Sequence, residues 1–396
     1  MGIYVDNSAT TAVDSRVVEA MLPYLSEFWG NPSSLHEPGH IAHDAVSKAR
    51  EQLAAMLHCQ SDEIHFTASG TLANNIAILG RARFAEANGL GKHLITTAIE
   101  HSSVIGPAEF LESSGWRVTY LPVNEEGFVN IDDLRKAINK DTSIITIAWA
   151  NNEIGTIQPI EELAQLANEA NVFFHTDAIQ VPGKIAMDLN KVPVRALSVS
   201  GHKFNAAKGI GALFVRNGSN VMPITFGGGQ EQGLSPGTES VANIVGIGKA
   251  AQLVKQDLEQ TLAKLSKMQK EIIERLSSLT NIKFTGPTDL TKRLPGHISL
   301  VVPGVSGETL ILRCDLHGIY LSSGSACSNK IIEPSHVLRA IGLSDREAMG
   351  AIRISLGKYN TEAECEELAS SLEDIFRLEE PAFKSLLSNQ QQYKSP

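Results

Sequence analysis

The sequence predicts an α/β protein with a mostly parallel sheet and a smaller second lobe, and three observations carry that expectation. Between about residues 15 and 255, short β-branched runs alternate with helical patterns, as they do where crossover helices join parallel strands. The runs are close to continuously apolar, which is how strands covered by helices on both faces read. Further on, Leu258, Leu262, Leu265, Ile272, Leu276 and Leu279 recur at helical spacing between charged residues, so a long amphipathic helix leads out of the first lobe.

Seven runs supply the strands, at Ile64–Thr67, Leu94–Thr97, Val118–Val123, Ile144–Ala148, Val172–His175, Leu197–Val199 and Ala212–Val215. The second lobe carries strand candidates at His297–Val302 and near Ile319–Leu321, and an alternating segment at Ala351–Leu356. A final helix is opened by Thr361 with Glu364 three residues on, the pattern of a capping box. No internal repeat or low-complexity segment is visible, and the tail around Gln390–Gln392 is expected to fray.

Composition narrows the function classes. At roughly 150 residues per domain, 396 residues make two or three lobes with room for a large core. An apolar share of 42% with ordinary numbers of Gly (32) and Pro (16) excludes disordered and collagen-like chains. The net charge of −10 would repel phosphate backbones, so no nucleic-acid partner is expected. Cys59, Cys314, Cys327 and Cys365 lack the short paired spacings of zinc sites or redox CxxC motifs, which fits a reducing cytoplasm and assigns no metal. Met1–Asp6 shows no basic-then-apolar targeting signal, and the uncharged stretch Thr142–Asn152 falls well short of the ~20 apolar residues of a membrane span. A soluble protein is expected.

In open sheets of this kind ligands gather at the carboxyl ends of the strands. Five predicted strand ends carry polar residues there: Ser69-Gly70-Thr71, Glu100-His101, Asn151-Asn152, Asp177 with Gln180, and Ser200 with His202 and Lys203. Each alone has an ordinary reading as a turn former; together they point to one site. Ser69-Gly70-Thr71 precedes the helical run Leu72–Leu79, and offers either an anion cup of N–H groups and a hydroxyl or a simple N-cap. Asp177 closes a strand and could pair with a protonated ring nitrogen. Lys203 could form a Schiff base if its surroundings lower its basicity, or be one more solvated lysine. His101 is the candidate to lie on a cofactor ring, its alternative being a satisfied, partly buried histidine.

Two further residues stand out in the second lobe. Cys327 lies in Ser322–Lys330, a stretch of small residues that no core pattern explains, and reads as a reactive thiol on a mobile loop. Cys365, three and seven residues before Leu368 and Leu372, reads as core, and Cys59 and Cys314 as structural. Arg353 could grip a carboxylate with its rigid fork or form a structural ion pair.

The ensemble resembles the cysteine desulfurases of the class V, fold type I pyridoxal phosphate enzymes. The resemblance runs from Asp6-Asn7-Ser8-Ala9-Thr10-Thr11 and Gly30-Asn31-Pro32-Ser33-Ser34-Leu35-His36, through Glu100-His101 and Asn151–Thr156, to His175–Gln180, Ser200-Gly201-His202-Lys203 and Gly324-Ser325-Ala326-Cys327. It implies a large cofactor-binding domain (16–257) with a mostly parallel seven-stranded sheet, and a smaller α+β domain (258–396) bearing the cysteine loop. Residues 1–15 would pack with the small domain.

The resemblance assigns Lys203 to the aldimine, Asp177 to the pyridine nitrogen, Gln180 and Asn152 to the ring hydroxyl side and His101 to ring stacking. Gly70, Thr71, Ser200 and His202 would hold the phosphate, joined by Thr238 from a partner subunit, and Arg353 with Asn152 would bind substrate. Cys327 would accept sulfur from L-cysteine and pass it to an iron-sulfur scaffold or other acceptor, with a possible role as a cluster ligand. The long segment from Cys327 to Leu338 is similar to the long-loop class linked to iron-sulfur assembly. Three places depart from the family pattern: Ser235-Pro236 before Gly237-Thr238, Asn205-Ala206-Ala207 after Lys203, and Leu72 where Glu is usual. Alternatives within the fold are a selenocysteine or cystine lyase or another aminotransferase-fold enzyme, and outside catalysis a sulfur-assembly partner of low activity.

Overall fold

The computed structural model describes residues 2–323 and 333–378. After a two-residue strand, β1 (Ile3–Tyr4), the chain lays down β2 (Ile64–Thr67), β3 (His93–Thr97), β4 (Arg117–Leu121), β5 (Thr142–Thr146), β6 (Phe173–Asp177), β7 (Ala196–Ser200) and β8 (Gly211–Val215). These seven form one sheet in the order β2-β8-β7-β6-β5-β3-β4. All neighbours are parallel except those of β8, which runs against both β7 and β2. The exception has a simple cause: the link from β7 to β8 holds only a short turn at Gly201–Lys203 and no crossover helix, and a parallel return needs a longer one.

Helices cover both faces, as the apolar runs require. On one face Glu37–Leu57, Ile160–Glu169 and the start of Val241–Leu276 pack on Phe66, Ile145, Phe174 and Phe214. On the other, Gly70–Ala87 and Ser102–Ser113 pack on Leu94, Ile144 and Leu213. The second lobe holds β9 (Lys283–Phe284), β10 (His297–Val301), β11 (Ile319–Tyr320) and β12 (Ala351–Ser355), with the sheet order β12-β10-β9 and a parallel β1-β11 pair beside it. Its final helix, Glu362–Leu378, has both bonds of the expected capping box: Thr361 N–H donates to Glu364 Oε2 at 2.8 Å and Glu364 N–H to Thr361 Oγ1 at 3.1 Å. No helix among the described residues is long and apolar enough to cross a membrane.

The long helix begins earlier than its leucine pattern foretells, at Val241. Gly246 and Gly248 obscure this start in the sequence, since glycine weakens a helix by about 1 kcal/mol, and the packing explains both. A Cβ on Gly246 would stand 2.7 Å from Met21 Sδ, and one on Gly248 2.5 Å from Ala49 Cα, so the glycines let two neighbouring helices approach. Over a span of about 54 Å, the same helix gives Val241–Leu253 to the large-lobe core and Leu265–Leu276 to the small-lobe core.

A second tie between the lobes is electrostatic. Asp14 caps the helix Ser15–Met21, accepting from Arg16 N–H at 2.9 Å and from the Arg16 guanidinium at 2.8 and 3.0 Å. It also receives Lys358 Nζ at 2.5 Å from the turn after β12. Arg16 above all holds this carboxyl well below its ordinary value of 3.8. Because the folded value is the lower one, the stabilisation is complete above pH 3.8 and is lost as pH falls toward the depressed folded value. Asp14→Asn should therefore cost about 2 kcal/mol near neutrality, and urea midpoints of the two proteins should converge as pH is lowered below 4.

Candidate functional site

The carboxyl ends of five strands converge as the alternating pattern requires. After β2, Ser69 caps the helix Gly70–Ala87, its Oγ accepting from Leu72 N–H at 3.1 Å. Gly70 is needed for close approach: a Cβ there would stand 2.4 Å from Ile179 Cδ1 and 3.0 Å from Ser200 Cβ. The first turn of that helix thus sits against the ends of β6 and β7, with its leading N–H groups available to an anion.

After β3, Glu100 is buried and accepts from Thr97 Oγ1 at 2.7 Å and from Ala148 N–H at 3.1 Å. Burial pushes its carboxyl up to about 8, so it is a mostly neutral fastener of the turn that delivers His101. His101 caps the helix Ser102–Ser113 and takes Ser103 N–H on Nδ1 at 3.1 Å. After β5, Asn151 builds the next turn, its Oδ1 accepting from Glu153 and Ile154 N–H at 2.8 and 3.0 Å and its Nδ2 donating to Ile99 O at 2.9 Å.

Asp177 ends β6 and is buried, with Oδ1 accepting from Ile179 N–H at 2.9 Å and Oδ2 from Asn74 Nδ2 at 2.8 Å. The same Asn74 amide donates to Ser103 Oγ at 2.9 Å, and Ser103 Oγ lies 2.8 Å from His101 Nδ1. One chain of hydrogen bonds therefore runs from Asp177 through Asn74 and Ser103 to His101. After β7, Lys203 Nζ donates to Ser8 O at 2.5 Å and Ala9 O at 2.9 Å, and Gln180 Nε2 also donates to Ser8 O at 3.0 Å. His202 Nδ1 meets Thr10 Oγ1 at 3.1 Å, and burial lowers its ring to about 4, which keeps it neutral.

Arg353 reaches in from β12, donating to Asp6 Oδ1 at 2.7 Å and Asn152 O at 3.1 Å, while its buried Nε has no hydrogen-bond partner among the described residues. Both sequence-level readings of Arg353 coexist here: it is ion-paired, and it faces the site. Gly70, Thr71, His101, Asn152, Asp177, Gln180, Ser200, His202, Lys203 and Arg353 all line one cavity of about 440 Å³. Thr238 is exposed and lies outside that lining. Cys327 lies outside the described residues. Cys59, Cys314 and Cys365 are partly or fully withdrawn from solvent, and burial raises their thiols to about 12, 12 and 11.

The cavity chemistry suits a phosphorylated cation-bearing ring. Asp177 is a buried carboxylate with no salt-bridge partner among the described residues, and a buried charge of that kind calls for a cationic neighbour. The aminotransferase class-V family matches residues 3–368. The chain belongs to that family. Within it, the chain is 42% identical over 376 residues to "Cysteine desulfurase IscS" of Clostridium botulinum (strain Hall), covering 95% of this chain and 94% of that one. A solved "NifS-like protein" superposes with a TM-score of 0.89 at 37% identity, covering 96% of this chain and 100% of its own. The structure titled "SspA in complex with cysteine" matches with a TM-score of 0.79 at 36% identity, covering 91% and 100%.

Asn74 and Ser103 are part of this class-V site although no motif in the sequence points to them, and Ser8 enters it through its backbone carbonyl. The hydrogen-bond chain also sets the state of His101. Ser103 N–H donates into the Nδ1 lone pair, so the ring proton belongs on Nε2. Burial, more than any charge, lowers the ring below 6.5. Nitrogen-15 NMR of the cofactor-free protein should show His101 neutral and protonated on Nε2 at pH 7; an Nδ1–H signal would contradict the chain as drawn.

Proposed function

We propose that this protein is a cysteine desulfurase that binds pyridoxal 5'-phosphate, takes sulfur from L-cysteine and leaves L-alanine and a persulfide on Cys327. The observation that carries the reading is the pairing of Lys203 and Asp177 on one cavity at the sheet's carboxyl edge, with Arg353 reaching it from the other lobe. The 42% identity to a protein named cysteine desulfurase supports it. So does the cysteine-bound relative, for the choice of substrate.

Gly70, Thr71, Ser200 and His202 would hold the phosphate, Asp177 the ring nitrogen, Gln180 and Asn152 the ring oxygen, and His101 one face of the ring. When bound, the cofactor supplies an electron sink that makes the substrate's Cα–H bond labile. Lys203 is the group that moves the proton, its Nζ oriented by the Ser8 and Ala9 carbonyls. Arg353 and Asn152 bind the substrate carboxylate and set which Cα bond faces the amine. The thiolate of Cys327 attacks the substrate sulfur: a sulfur–sulfur bond forms, the substrate's carbon–sulfur bond breaks, and its carbon is protonated to alanine.

The protein works as a homodimer in which Thr238 completes the neighbour's phosphate site, a role consistent with its exposure here. The acceptor of the sulfur is an iron-sulfur scaffold or a comparable protein. The lobes divide within the helix Val241–Leu276, close to residue 257, where its buried face changes core.

Three experiments test this reading. The purified protein should be yellow, and borohydride should fix the cofactor's mass on the peptide containing Lys203; fixation on Lys208, which lines the same cavity, would overturn the assignment. Cys327→Ala should keep the colour and lose alanine formation from cysteine by a factor of roughly 100 or more. Mass spectrometry of the wild type after brief exposure to cysteine should find one added sulfur on the Cys327 peptide. Unchanged turnover in Cys327→Ala would favour a lyase that needs no acceptor thiol.

A further inference from the structure

Lys184 is a buried amine to which the chemistry above gives no task. It closes a tight turn after β6, in which Val181 N–H donates to Ala178 O and Lys184 N–H to Val181 O, each at 2.9 Å. Gly183 takes φ +76 in this turn, a conformation open to glycine at little cost, and the chain doubles back so that Lys184 faces Gln180. The side chain is withdrawn from water, and Nζ donates to Gln180 Oε1 at 3.1 Å. From the opposite end of the same carboxamide, Nε2 donates to Ser8 O at 3.0 Å.

These two contacts leave one orientation. A flipped amide would set its oxygen against the Ser8 carbonyl and, while Lys184 is protonated, its NH2 against the ammonium, exchanging two good pairs for two repulsive ones. Burying an amine costs free energy that an apolar side chain would not, and among the described residues Gln180 Oε1 is the hydrogen-bond partner this amine serves.

We propose that Lys184 is a positioning residue that locks Gln180 with Oε1 turned from the site and Nε2 turned into it, so that Gln180 meets the ring oxygen of bound pyridoxal phosphate only as a donor. The inference rests on the cofactor reading given above. Desolvation lowers the Lys184 amine to about 7, with Lys203 and Arg353 adding repulsion. His297 is also within its field, and Asp14, Asp257 and Lys358 share with Lys184 and Lys203 a small cavity of about 50 Å³.

The test uses the cofactor-loaded protein and two readouts apart from turnover: the pH midpoint of the visible absorbance and the cofactor dissociation constant. Lys184→Met should raise the midpoint by roughly 1 pH unit, because an oxyanion that loses a donor favours the protonated chromophore. It should weaken cofactor binding about tenfold. Lys184→Gln keeps a donor for Oε1 without the charge and should hold the midpoint near the wild-type value. Gln180→Met should shift the midpoint in the same direction as Lys184→Met, and the double variant no further than Gln180→Met alone, since both act through one carboxamide. Lys184→Leu provides a second apolar replacement should the Met variant fail to load. An unmoved midpoint in a loaded apolar variant, or additive shifts in the double variant, overturns the role of Lys184 alone. A wild-type chain that takes up no cofactor overturns this role and the reading beneath it together.

Discussion

The carbonyl oxygen of Ser8 accepts from both Lys203 and Gln180, and that shared acceptor is the point from which the rest of the site is hung. A lysine amine at the edge of a sheet is mobile unless something with the right geometry receives it. The Ser8 and Ala9 carbonyls do so, and together they orient the amine. For this to work, an N-terminal segment has to lie across the carboxyl ends of β6 and β7. It is stitched there from both sides: Asn7 N–H and Nδ2 donate to Ser355 O at 3.1 and 2.9 Å, Ser8 N–H donates to Ser355 Oγ at 2.8 Å, and Thr11 N–H and Oγ1 donate to His202 O at 2.9 Å.

The same burial that holds the segment sorts the charges. Glu100 is raised to about 8 and His202 lowered to about 4 by desolvation, so near pH 7 both are largely neutral hydrogen-bonding groups. His175, inside β6 and bonded at 2.8 Å to Thr146 and 3.0 Å to Ser198, is lowered to about 3 and is structural. Asp177 stands apart from these fasteners, because among the described residues its two oxygens receive a backbone N–H and a side-chain amide but no cation.

What was legible in the sequence follows from what carries a pattern. Asp177, His101 and Lys203 sit just past β-branched runs, and strand ends can be counted from periodicity alone. The direction of β8 follows from loop length but was not separable within a "mostly parallel" sheet. Asn74 and Ser103 lie inside helical turns, where a polar residue has the same appearance whether it faces solvent or a buried carboxylate. Ser8 acts through its backbone, which no side-chain pattern encodes. Asn205, one of the departures from the family motif, takes φ +67 and donates from Nδ2 to Ala12 O at 2.8 Å. Asparagine tolerates that left-handed conformation better than most residues do, so the change is a local solution to the turn after Lys203 and leaves the amine's partners untouched.

Arg353 shows why the two lobes have to be held in register. Its fork is already engaged by Asp6 Oδ1 and Asn152 O, yet Nε is buried with no partner among the described residues. A buried donor left unsatisfied costs about 1–3 kcal/mol, and an incoming carboxylate that reached it would recover that cost on binding. The donor can wait in place only because both of its anchors are fixed, one on the N-terminal segment and one on the turn after β5. Asp6 is held by the small lobe through the Asp6–Ser355 bridge, and Asn152 by the Asn151 turn of the large lobe. Arg353 itself belongs to β12 of the small lobe. A displacement of one lobe against the other would draw Arg353 away from Asn152 O and, through the bonds from Asn7 and Ser8 to Ser355, shift the carbonyl that receives Lys203 as well, so the helix Val241–Leu276 and the Asp14–Lys358 pair that join the lobes hold both ends of the site in register.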